Sequence, residues 1–290
     1  MGQAIKIRGL KKYFGKLKAV DGIDLTIEQG EIFGFLGPNG AGKTTTIRCM
    51  MDFLHPTEGK IEIMGLDAQK DAVKLKKQIG YLIPASRLYE NWTALEHFRF
   101  YQHYFGPCES LPTLIKTLDL NPEIKIKNLS SGNRQKVALI LAFFNNPKVV
   151  IMDEPTVGLD PILQNQVYKL MKTYVQKGVA IFMSSHNLPE VENICQRVGI
   201  IKEGKLVAVE NIRNLAHKKI HLVKVCFQKP IEIDFALEGV KVKESLDNTL
   251  ILNFTGEIAP LLRKLAQYPL KDIEITHASL EDIFLEYYRQ

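Results

Sequence analysis

The sequence predicts an α/β domain over residues 1–215, followed by a small α+β domain over residues 216–290. A short apolar strand, a glycine-rich loop and a helix follow one another over residues 31–54. Two further segments, 149–152 and 179–183, are apolar throughout, which is typical of parallel strands buried on both faces. The second domain instead shows short alternating strands and an amphipathic helix. These three observations together predict the fold class.

Composition and charge indicate a globular chain with a large core. Of 290 residues, 46% are hydrophobic and 24% are charged, and the net charge is +6. This modest basic excess suits nucleotide phosphates or a membrane surface and does not indicate nucleic acid as a partner. The four cysteines are far apart, so we expect neither a disulfide framework nor a zinc site. No signal peptide is expected, and no apolar stretch approaches the about 20 residues of a membrane-spanning helix.

The glycine-rich loop has the residue types that bind nucleotide phosphates. A glycine, four residues and then Gly-Lys-Thr form the P-loop pattern, between a strand and a helix predicted from residue 45. Backbone N–H groups of such a loop and the N-terminus of the helix attract phosphate oxygens. Lys43 is expected to reach the β- and γ-phosphates, and the Thr44 hydroxyl to bind Mg²⁺. The predicted nucleotide-binding residues here are Gly37, Pro38, Asn39, Gly40, Ala41, Gly42, Lys43, Thr44 and Thr45.

Two carboxylates follow the apolar strand at 149–152. The carboxyl end of a parallel strand is where α/β sheets place their ligands. Asp153 is therefore the second predicted Mg²⁺ ligand, and Glu154 is placed to polarise a water against the γ-phosphate. His186 follows the apolar strand at 179–183. A histidine at a strand end is usually structural, but three strand ends converge here, so a functional role is predicted.

Between these strands the periodicity becomes helical, which predicts a helical insert over about residues 88–145. Gly106-Pro107 and Asn121-Pro122 are expected to interrupt its helices. A Leu-Ser-Ser-Gly loop at 129–132 precedes the apolar helix that ends the insert. Such a loop is a potential phosphate site, although a serine before a helix is most often only an N-cap. Upstream, Tyr13 is either an adenine-stacking aromatic or a packing residue.

Together these motifs resemble the ATP-binding cassette of ABC transporters, over residues 4–215. The matching segments occur in the family's order: Walker A (37–45), the signature loop (129–133), Walker B (149–154), the D-loop (158–160) and the switch histidine His186. The signature loop ahead of Walker B separates this family from other P-loop NTPases. The resemblance implies a RecA-like core sheet, an antiparallel β subdomain and a helical insert, with ATP and Mg²⁺ as cofactors.

The resemblance also implies a head-to-tail dimer that holds two ATP molecules between two cassettes, most simply as a homodimer. Ser130, Gly132 and Asp160 would then serve the ATP held by the partner cassette. Tyr13 matches the family's adenine-stacking aromatic. Glu154, His186 and Lys43 would be the catalytic residues: Glu154 the catalytic carboxylate, His186 the γ-phosphate sensor and Lys43 a phosphate-stabilising cation.

Two departures from the family pattern concern the signature and the Q-loop. Ser131 and Asn133 stand where the family usually has glycine and glutamine, which is expected to weaken closure of the dimer. Pro84 occupies the position of a glutamine or glutamate that helps to bind Mg²⁺ and couples the site to the permease. Either a neighbour such as Ser86 substitutes for that side chain, or water completes the Mg²⁺ shell.

The second domain has no catalytic cluster. Its strands are predicted at 221–227, 240–245, 249–254 and 270–276, and its helices at 257–267 and, with Ser279 as cap, at 277–288. The domain is similar to the C-terminal extension of cassettes that serve ABC-2-type exporters, including the ending Ser-Leu-Glu-Asp-Ile-Phe-Leu. The resemblance implies a dimerisation or regulatory role, and a passive cap on the sheet is the alternative.

The function that follows is ATP hydrolysis that drives export through a separate transmembrane permease. With one cassette and no predicted membrane span, the chain would sit at the cytoplasmic face of the cell membrane, held by that permease. One alternative is a soluble ABC-type switch that acts on ribosomes or DNA. Another is a degenerate, poorly hydrolysing subunit of a heterodimeric exporter, suggested by Pro84 and Ser131.

Overall fold

The structure, a computed structural model, describes residues 2–82, 87–212, 220–229 and 237–277. The chain divides into two compact units, Met1–Val209 and Glu210–Gln290. Each unit has a hydrophobic core of its own. None of the helices in the described ranges combines the length and the apolar character that crossing a membrane requires.

The first unit consists of two sheets and the helices that flank them. Its strands are β1 (Gln3–Phe14), β2 (Leu17–Glu28), β3 (Ile32–Leu36), β4 (Glu58–Ile63), β5 (Leu66–Asp67), β6 (Ile79–Leu82), β7 (Val149–Asp153), β8 (Ala180–Ser185), β9 (Arg197–Lys202) and β10 (Lys205–Asn211). Its helices are α1 (Lys43–Met50), α2 (Ala72–Lys76), α3 (Ala94–Phe105), α4 (Leu111–Thr117), α5 (Ser131–Phe143), α6 (Pro161–Gln176) and α7 (Leu188–Ile194).

A six-stranded sheet in the order β10-β9-β3-β8-β7-β6 is the centre of this unit. β3 pairs in parallel with β8 and β9, and β7 pairs in parallel with β6 and β8. Every residue of β3 and β8 is buried, which explains the apolar character of these strands. Because parallel strands end at the same edge, the loop after β3, the carboxylates at the end of β7 and the histidine after β8 meet there.

A four-stranded sheet in the order β2-β1-β4-β5 packs on the core sheet. β1 pairs antiparallel with both β2 and β4. Buried side chains of this sheet, such as Ile5 and Ile23, share one cluster with Phe35 of β3 and Ile47 of α1. The parallel core sheet and the antiparallel β subdomain of the predicted fold class are thus confirmed.

Helices α3, α4 and α5 lie between β6 and β7, where the sequence predicts the helical insert. α3 begins with a capping box, in which Thr93 Oγ1 accepts from Glu96 N–H (3.1 Å) and the Glu96 carboxylate accepts from Thr93 N–H (2.6 Å). α3 ends at Gly106, whose φ of 81° is one that glycine readily adopts. The second half of α5 is fully buried, in agreement with its apolar sequence.

The second unit contains β11 (Ile220–Phe227), β12 (Val240–Leu246), β13 (Thr249–Thr255), α8 (Ile258–Leu265) and β14 (Leu270–His277). The strands form an antiparallel sheet in the order β12-β13-β11-β14, and Leu261 and Leu265 of α8 are buried in its core. The α+β character predicted for this domain is confirmed. The final helix is predicted from residue 277, but His277 belongs to β14, and the rest of that segment, residues 278–290, lies outside the described ranges.

Candidate active site

The loop after β3 leads into α1, which begins at Lys43, two residues earlier than the sequence predicts. Gly42 is the cap residue of this helix and has a φ of 109°, a conformation that residues with a Cβ rarely adopt. A Cβ on Gly42 would collide with the backbone oxygen of Ala19, and a Cβ on Gly37 with that of Ile201. Glycine is therefore required at both loop positions. Because Gly42 directly precedes α1, the conformation of the loop also determines where the first N–H groups of that helix lie.

Lys43 is buried against the loop that precedes it, with 5% of its surface exposed. Its Nζ donates to the carbonyl oxygens of Gly37 (2.7 Å) and Pro38 (3.1 Å). The same Nζ lies 3.5 Å from Glu154 Oε1. Because an ammonium group has three N–H donors, one remains available for a further acceptor beside the loop.

The two predicted metal ligands are in direct contact. The Thr44 hydroxyl donates to Asp153 Oδ2 (2.7 Å), and the Ser184 hydroxyl donates to Asp153 Oδ1 (2.5 Å). These two hydrogen bonds fix the Asp153 carboxylate, at the end of β7, between the start of α1 and the end of β8. The role of Ser184 is not visible in the sequence, because a serine at the end of an apolar strand carries no motif of its own.

Glu154 follows β7 in the left-handed region, with a φ of 50°. For a residue with a side chain this conformation costs about 1–2 kcal/mol, and it persists only where neighbours hold it. Here the Glu154 N–H donates to the carbonyl oxygen (3.2 Å) and the hydroxyl (3.0 Å) of Ser184. The strand end of β8 thus fixes the direction in which Glu154 leaves β7.

The carboxylate of Glu154 lies between the two other predicted catalytic residues. Its Oε1 is 3.5 Å from Lys43 Nζ, and its Oε2 is 3.1 Å from His186 Nδ1. The side chains of Glu154 and His186 are 25% and 49% exposed, so both can reach a ligand from solvent. Three residues that are far apart in sequence are therefore brought together at one edge of the sheet.

A cavity of about 490 Å³ lies beside this group. The predicted residues that line it are Asn39, Gly40, Gly42, Lys43, Thr44, Thr45 and Glu154. Gly37, Pro38 and Ala41 lie in the same loop without lining the cavity. Its other walls include Phe14, Leu17 and Lys18, at the hairpin between β1 and β2. The cavity therefore lies between the P-loop and a wall that carries apolar side chains together with Lys18 and Glu203.

The aromatic residue that lines this cavity is Phe14, and Tyr13 is absent from its lining. Phe14 is 45% exposed. Tyr13 instead donates its hydroxyl to Asp21 Oδ1 (2.5 Å), and Lys18 Nζ lies 5.5 Å from the centre of its ring. This hydrogen bond raises the pKa of Tyr13 and lowers that of Asp21. Adjacent residues of a strand point to opposite faces, so the pair Tyr13-Phe14 offers the cavity only one ring.

A larger cavity of about 610 Å³ lies at the amino ends of β7 and β8, opposite to the predicted site. Lys148 and Val179, which precede these two strands, are part of its wall. None of the predicted catalytic, nucleotide-binding or metal-binding residues lines it. Size alone therefore does not locate the site, whereas the convergent polar groups do.

Ser130, Gly132 and Asp160 do not line the cavity beside the P-loop. Ser130 caps α5 by accepting from Asn133 N–H (3.2 Å). Asp160 caps α6, since its Oδ1 accepts from the N–H groups of Ile162 (3.0 Å) and of Leu163 (2.9 Å). Within one chain Ser130 and Asp160 are helix caps, and Gly132 is the second residue of α5.

The two departures from the family pattern have different outcomes. Ser131 is the first residue of α5 and is exposed. The Asn133 N–H donates to the capping hydroxyl of Ser130. With these two residues present, α5 still begins directly after Ser130. Pro84 and Ser86 of the Q-loop lie outside the described residues. Which of the two Mg²⁺ alternatives applies there stays open.

Comparisons with known proteins agree with this geometry. The ABC transporter family model matches residues 20–157. The uncharacterized ABC transporter ATP-binding protein YhcH of Bacillus subtilis (strain 168) is 30% identical over 295 residues, covering 99% of this chain and 96% of that protein. This chain belongs to the ABC transporter ATP-binding proteins. Nod factor export ATP-binding protein I of Cupriavidus metallidurans (strain CH34) is 28% identical, covering 99% of this chain and 97% of that protein.

Solved structures place the fold in the same family. A structure titled as the ATP-binding subunit of an ABC transporter matches with a TM-score of 0.69 and 27% identity, covering 74% of this chain and 92% of that one. The ABC cassette is an ATPase, and this chain is therefore an ATPase as well. The predicted family, fold class and enzyme class are confirmed.

Proposed function

We propose that this ABC ATPase drives export through a separate membrane permease, by ATP-dependent closure of two cassettes. The observation that carries the catalytic part is the placement of the Glu154 carboxylate between Lys43 and His186 beside the P-loop. The export part is supported by the resemblance of the full chain to an ATP-binding protein of Nod factor export. The resemblance of residues 216–290 to the C-terminal extension of ABC-2 exporter cassettes supports it as well.

The P-loop and Lys43 are the proposed phosphate-binding groups. The first N–H groups of α1 and the remaining N–H of Lys43 are donors for phosphate oxygens. Their positions are set by buried backbone, so they need little rearrangement when negative charge develops on the γ-phosphoryl group.

Hydrolysis requires a water aligned with the γ-phosphorus, and Glu154 is the group that orients it and takes up its proton. His186 Nδ1 at 3.1 Å holds the other oxygen of this carboxylate and keeps it turned towards the loop. Its exposed ring then contacts the γ-phosphate in the closed dimer. The left-handed backbone conformation of Glu154 fixes the direction of its side chain, and the contact with His186 then fixes the carboxylate.

Thr44 and Asp153 are the proposed Mg²⁺ ligands. A hydroxyl and a carboxylate within 2.7 Å of each other match the preference of Mg²⁺ for oxygen donors. Asp153 is already fixed by Ser184, as the supporting contacts of metal ligands usually are. When bound, Mg²⁺ neutralises charge on the β- and γ-phosphate oxygens.

Phe14 is proposed to stack on the adenine ring, in the role that the sequence assigns to Tyr13. Replacing Phe14 with Ala is expected to weaken binding of a non-hydrolysable ATP analogue by roughly 5- to 150-fold, because one base–aromatic stack is worth about 1–3 kcal/mol. Tyr13→Ala is the matched control, and we expect it to change affinity by less than about threefold. Calorimetric titration measures both. A larger loss for Tyr13→Ala would return the stacking role to Tyr13.

Closure of two cassettes would bring Ser130, Gly132 and Asp160 to ATP bound by the partner. All three lie at the N-terminal ends of α5 and α6, where N–H groups and the helix dipole favour anions. None of the three lines the cavity beside the P-loop of its own chain, which is consistent with a contact to the ATP bound by the partner cassette. A homodimer is the simplest assembly, and a heterodimer with a second cassette protein is the alternative.

A row of aromatic side chains on α3 and the turn before it is the proposed contact surface for the permease. Tyr89, Phe100 and Tyr104 are 59%, 40% and 64% exposed. Trp92 connects them, with ring centres 4.6 Å from Tyr89 and 5.6 Å from Phe100, which lies 5.0 Å from Tyr104. Adjacent exposed aromatics of this kind mark interaction surfaces. Bound to such a partner, the chain would lie at the cytoplasmic face of the cell membrane.

Affinity purification of the tagged chain from its native membrane in mild detergent tests the export proposal. We expect a multi-span membrane protein in near-stoichiometric amount by mass spectrometry. The double variant Phe100→Ser/Tyr104→Ser should lower its recovery at least about fivefold, because aromatic contacts dominate interface energies. Val207→Ser/Val209→Ser, which changes two similarly exposed side chains on β10, is the matched control. Recovery of ribosomal proteins without a membrane partner would instead establish the soluble switch.

A further inference from the structure

Glu190 is a buried carboxylate that the reaction described above does not use. It lies in the first turn of α7 and is 5% exposed. In the described ranges no lysine, arginine or histidine forms an ion pair with it. A buried carboxylate is costly unless hydrogen bonds replace its water shell. Its surroundings must therefore supply those bonds.

Three hydroxyl groups donate to this carboxylate. Glu190 Oε1 accepts from Thr156 Oγ1 (2.5 Å) and from the Tyr168 hydroxyl (3.3 Å), and Oε2 accepts from Ser185 Oγ (2.7 Å). Burial, together with the nearby charge of Glu190, raises the pKa of Tyr168 to about 12. That hydroxyl therefore stays protonated and remains a donor.

Two of these hydroxyls belong to the segments that carry the catalytic side chains. Thr156 lies two residues after Glu154, and Ser185 immediately precedes His186. Ser185 Oγ also accepts from Asn187 N–H (2.9 Å), so the turn around the histidine is held on both sides. The carbonyl oxygen of Ser185 accepts from Gly37 N–H (3.3 Å), which connects the same turn to the P-loop.

We propose that Glu190 is a positioning residue that sets the distance between Glu154 and His186. Its two oxygens connect the turn after β7 to the end of β8 through Thr156 and Ser185, neither of which lines the cavity. The inference rests on the roles proposed for Glu154 and His186. A carboxylate suits this position because it is acceptor-only and binds several hydroxyls at once.

The variants Thr156→Val and Glu190→Ala test the proposal through steady-state ATP hydrolysis by the full-length chain. We expect kcat to fall about 10- to 100-fold for Glu190→Ala and about 5- to 20-fold for Thr156→Val, because displacement of a catalytic group by about 1 Å can cost 100-fold. KM for ATP and affinity for a non-hydrolysable analogue should change by less than about threefold. Glu190→Gln, which keeps one carbonyl acceptor, should restore part of the rate.

Glu31→Gln is the matched control. Glu31 is also a buried glutamate, 8% exposed, and its Oε1 accepts from Arg197 (2.9 Å) and from Glu28 N–H (2.7 Å). It precedes β3, at the end of the sheet opposite to the site. Its loss is expected to lower the melting temperature with less than a twofold change in kcat. Equal kcat losses for Glu31 and Glu190 variants of equal stability would overturn the positioning role.

A double-variant cycle with His186→Ala distinguishes positioning from general support. If Glu190 acts through His186 and Glu154, Glu190→Ala should add less than about threefold to the loss caused by His186→Ala, whereas independent effects multiply. Full multiplication would overturn the proposal. Should Glu190→Ala fail to fold, Thr156→Val and Ser185→Ala carry the same test. If Glu154→Gln is inactive while the Thr156 and Glu190 variants hydrolyse ATP normally, only the positioning role of Glu190 is refuted. If Glu154→Gln is active, the proposed catalytic roles are refuted.

Discussion

Replacing Glu154 with Gln is expected to lower the rate of ATP hydrolysis at least about 100-fold while ATP still binds. General-base and water-orienting groups contribute about 10²- to 10⁴-fold. The amide keeps the size of the side chain but cannot accept the proton of the attacking water. It retains one oxygen that can face Lys43 Nζ, now at 3.5 Å from Oε1, so the P-loop need not rearrange. Phosphate release and calorimetric titration with ATP measure the two effects separately.

The same variant should accumulate as a closed dimer in ATP, because hydrolysis no longer reopens it. Size-exclusion chromatography with light scattering is expected to give twice the mass of a single chain in ATP and the mass of a single chain in ADP. Glu31→Gln, changed in the same way at the opposite end of the sheet, should hydrolyse ATP normally. Turnover by Glu154→Gln within about threefold of the unmodified chain would show that another group orients the water.

Replacing Gly42 with Ala is expected to lower ATP-analogue affinity by about 100-fold or more and stability by at least about 2 kcal/mol. The new Cβ meets the backbone oxygen of Ala19, and a φ of 109° is strained for alanine. Relief of both requires the loop to move, and α1 then starts elsewhere. The N–H groups that face the phosphates move with it. Urea denaturation and calorimetric titration measure the two losses.

Gly65→Ala is the matched control for Gly42→Ala. Gly65 also has a positive φ, 76°, but a Cβ there has no neighbour within 4 Å, and the residue lies in the turn between β4 and β5. We expect a cost of about 1 kcal/mol from backbone strain alone and unchanged affinity. If both variants lose stability equally and both bind normally, the collision with Ala19 does not constrain the loop.

Much of the candidate site is predictable because its motifs are local. The P-loop, the carboxylates after 149–152 and His186 each stand at the end of a strand whose apolar run is visible in the sequence. Parallel strands end at one edge, so their convergence follows from the fold class. The structure accordingly places Glu154 Oε1 3.5 Å from Lys43 Nζ and Glu154 Oε2 3.1 Å from His186 Nδ1.

The sequence does not show which of the two adjacent aromatic residues, Tyr13 or Phe14, lines the cavity. Both rings occupy neighbouring positions near the end of β1, and either could face the nucleotide. The hydrogen bond from Tyr13 to Asp21 decides the matter, because it commits the tyrosine to the sheet and leaves Phe14 beside the loop. That bond depends on the register of β1 against β2, which a local aromatic pattern does not reveal.

The sequence by itself determined the family, the fold class and the identity of the nucleotide-binding motifs, because glycine conformation, strand burial and terminal carboxylates are short-range requirements. Only the tertiary structure decided which aromatic lines the cavity, that α1 begins at Lys43, and that Glu190 connects Thr156 with Ser185. The placement of Tyr13 and the contacts of Glu190 come from hydrogen bonds between residues 5 to 34 positions apart. Their partners are chosen by packing and register, and a single sequence contains no local signal for either.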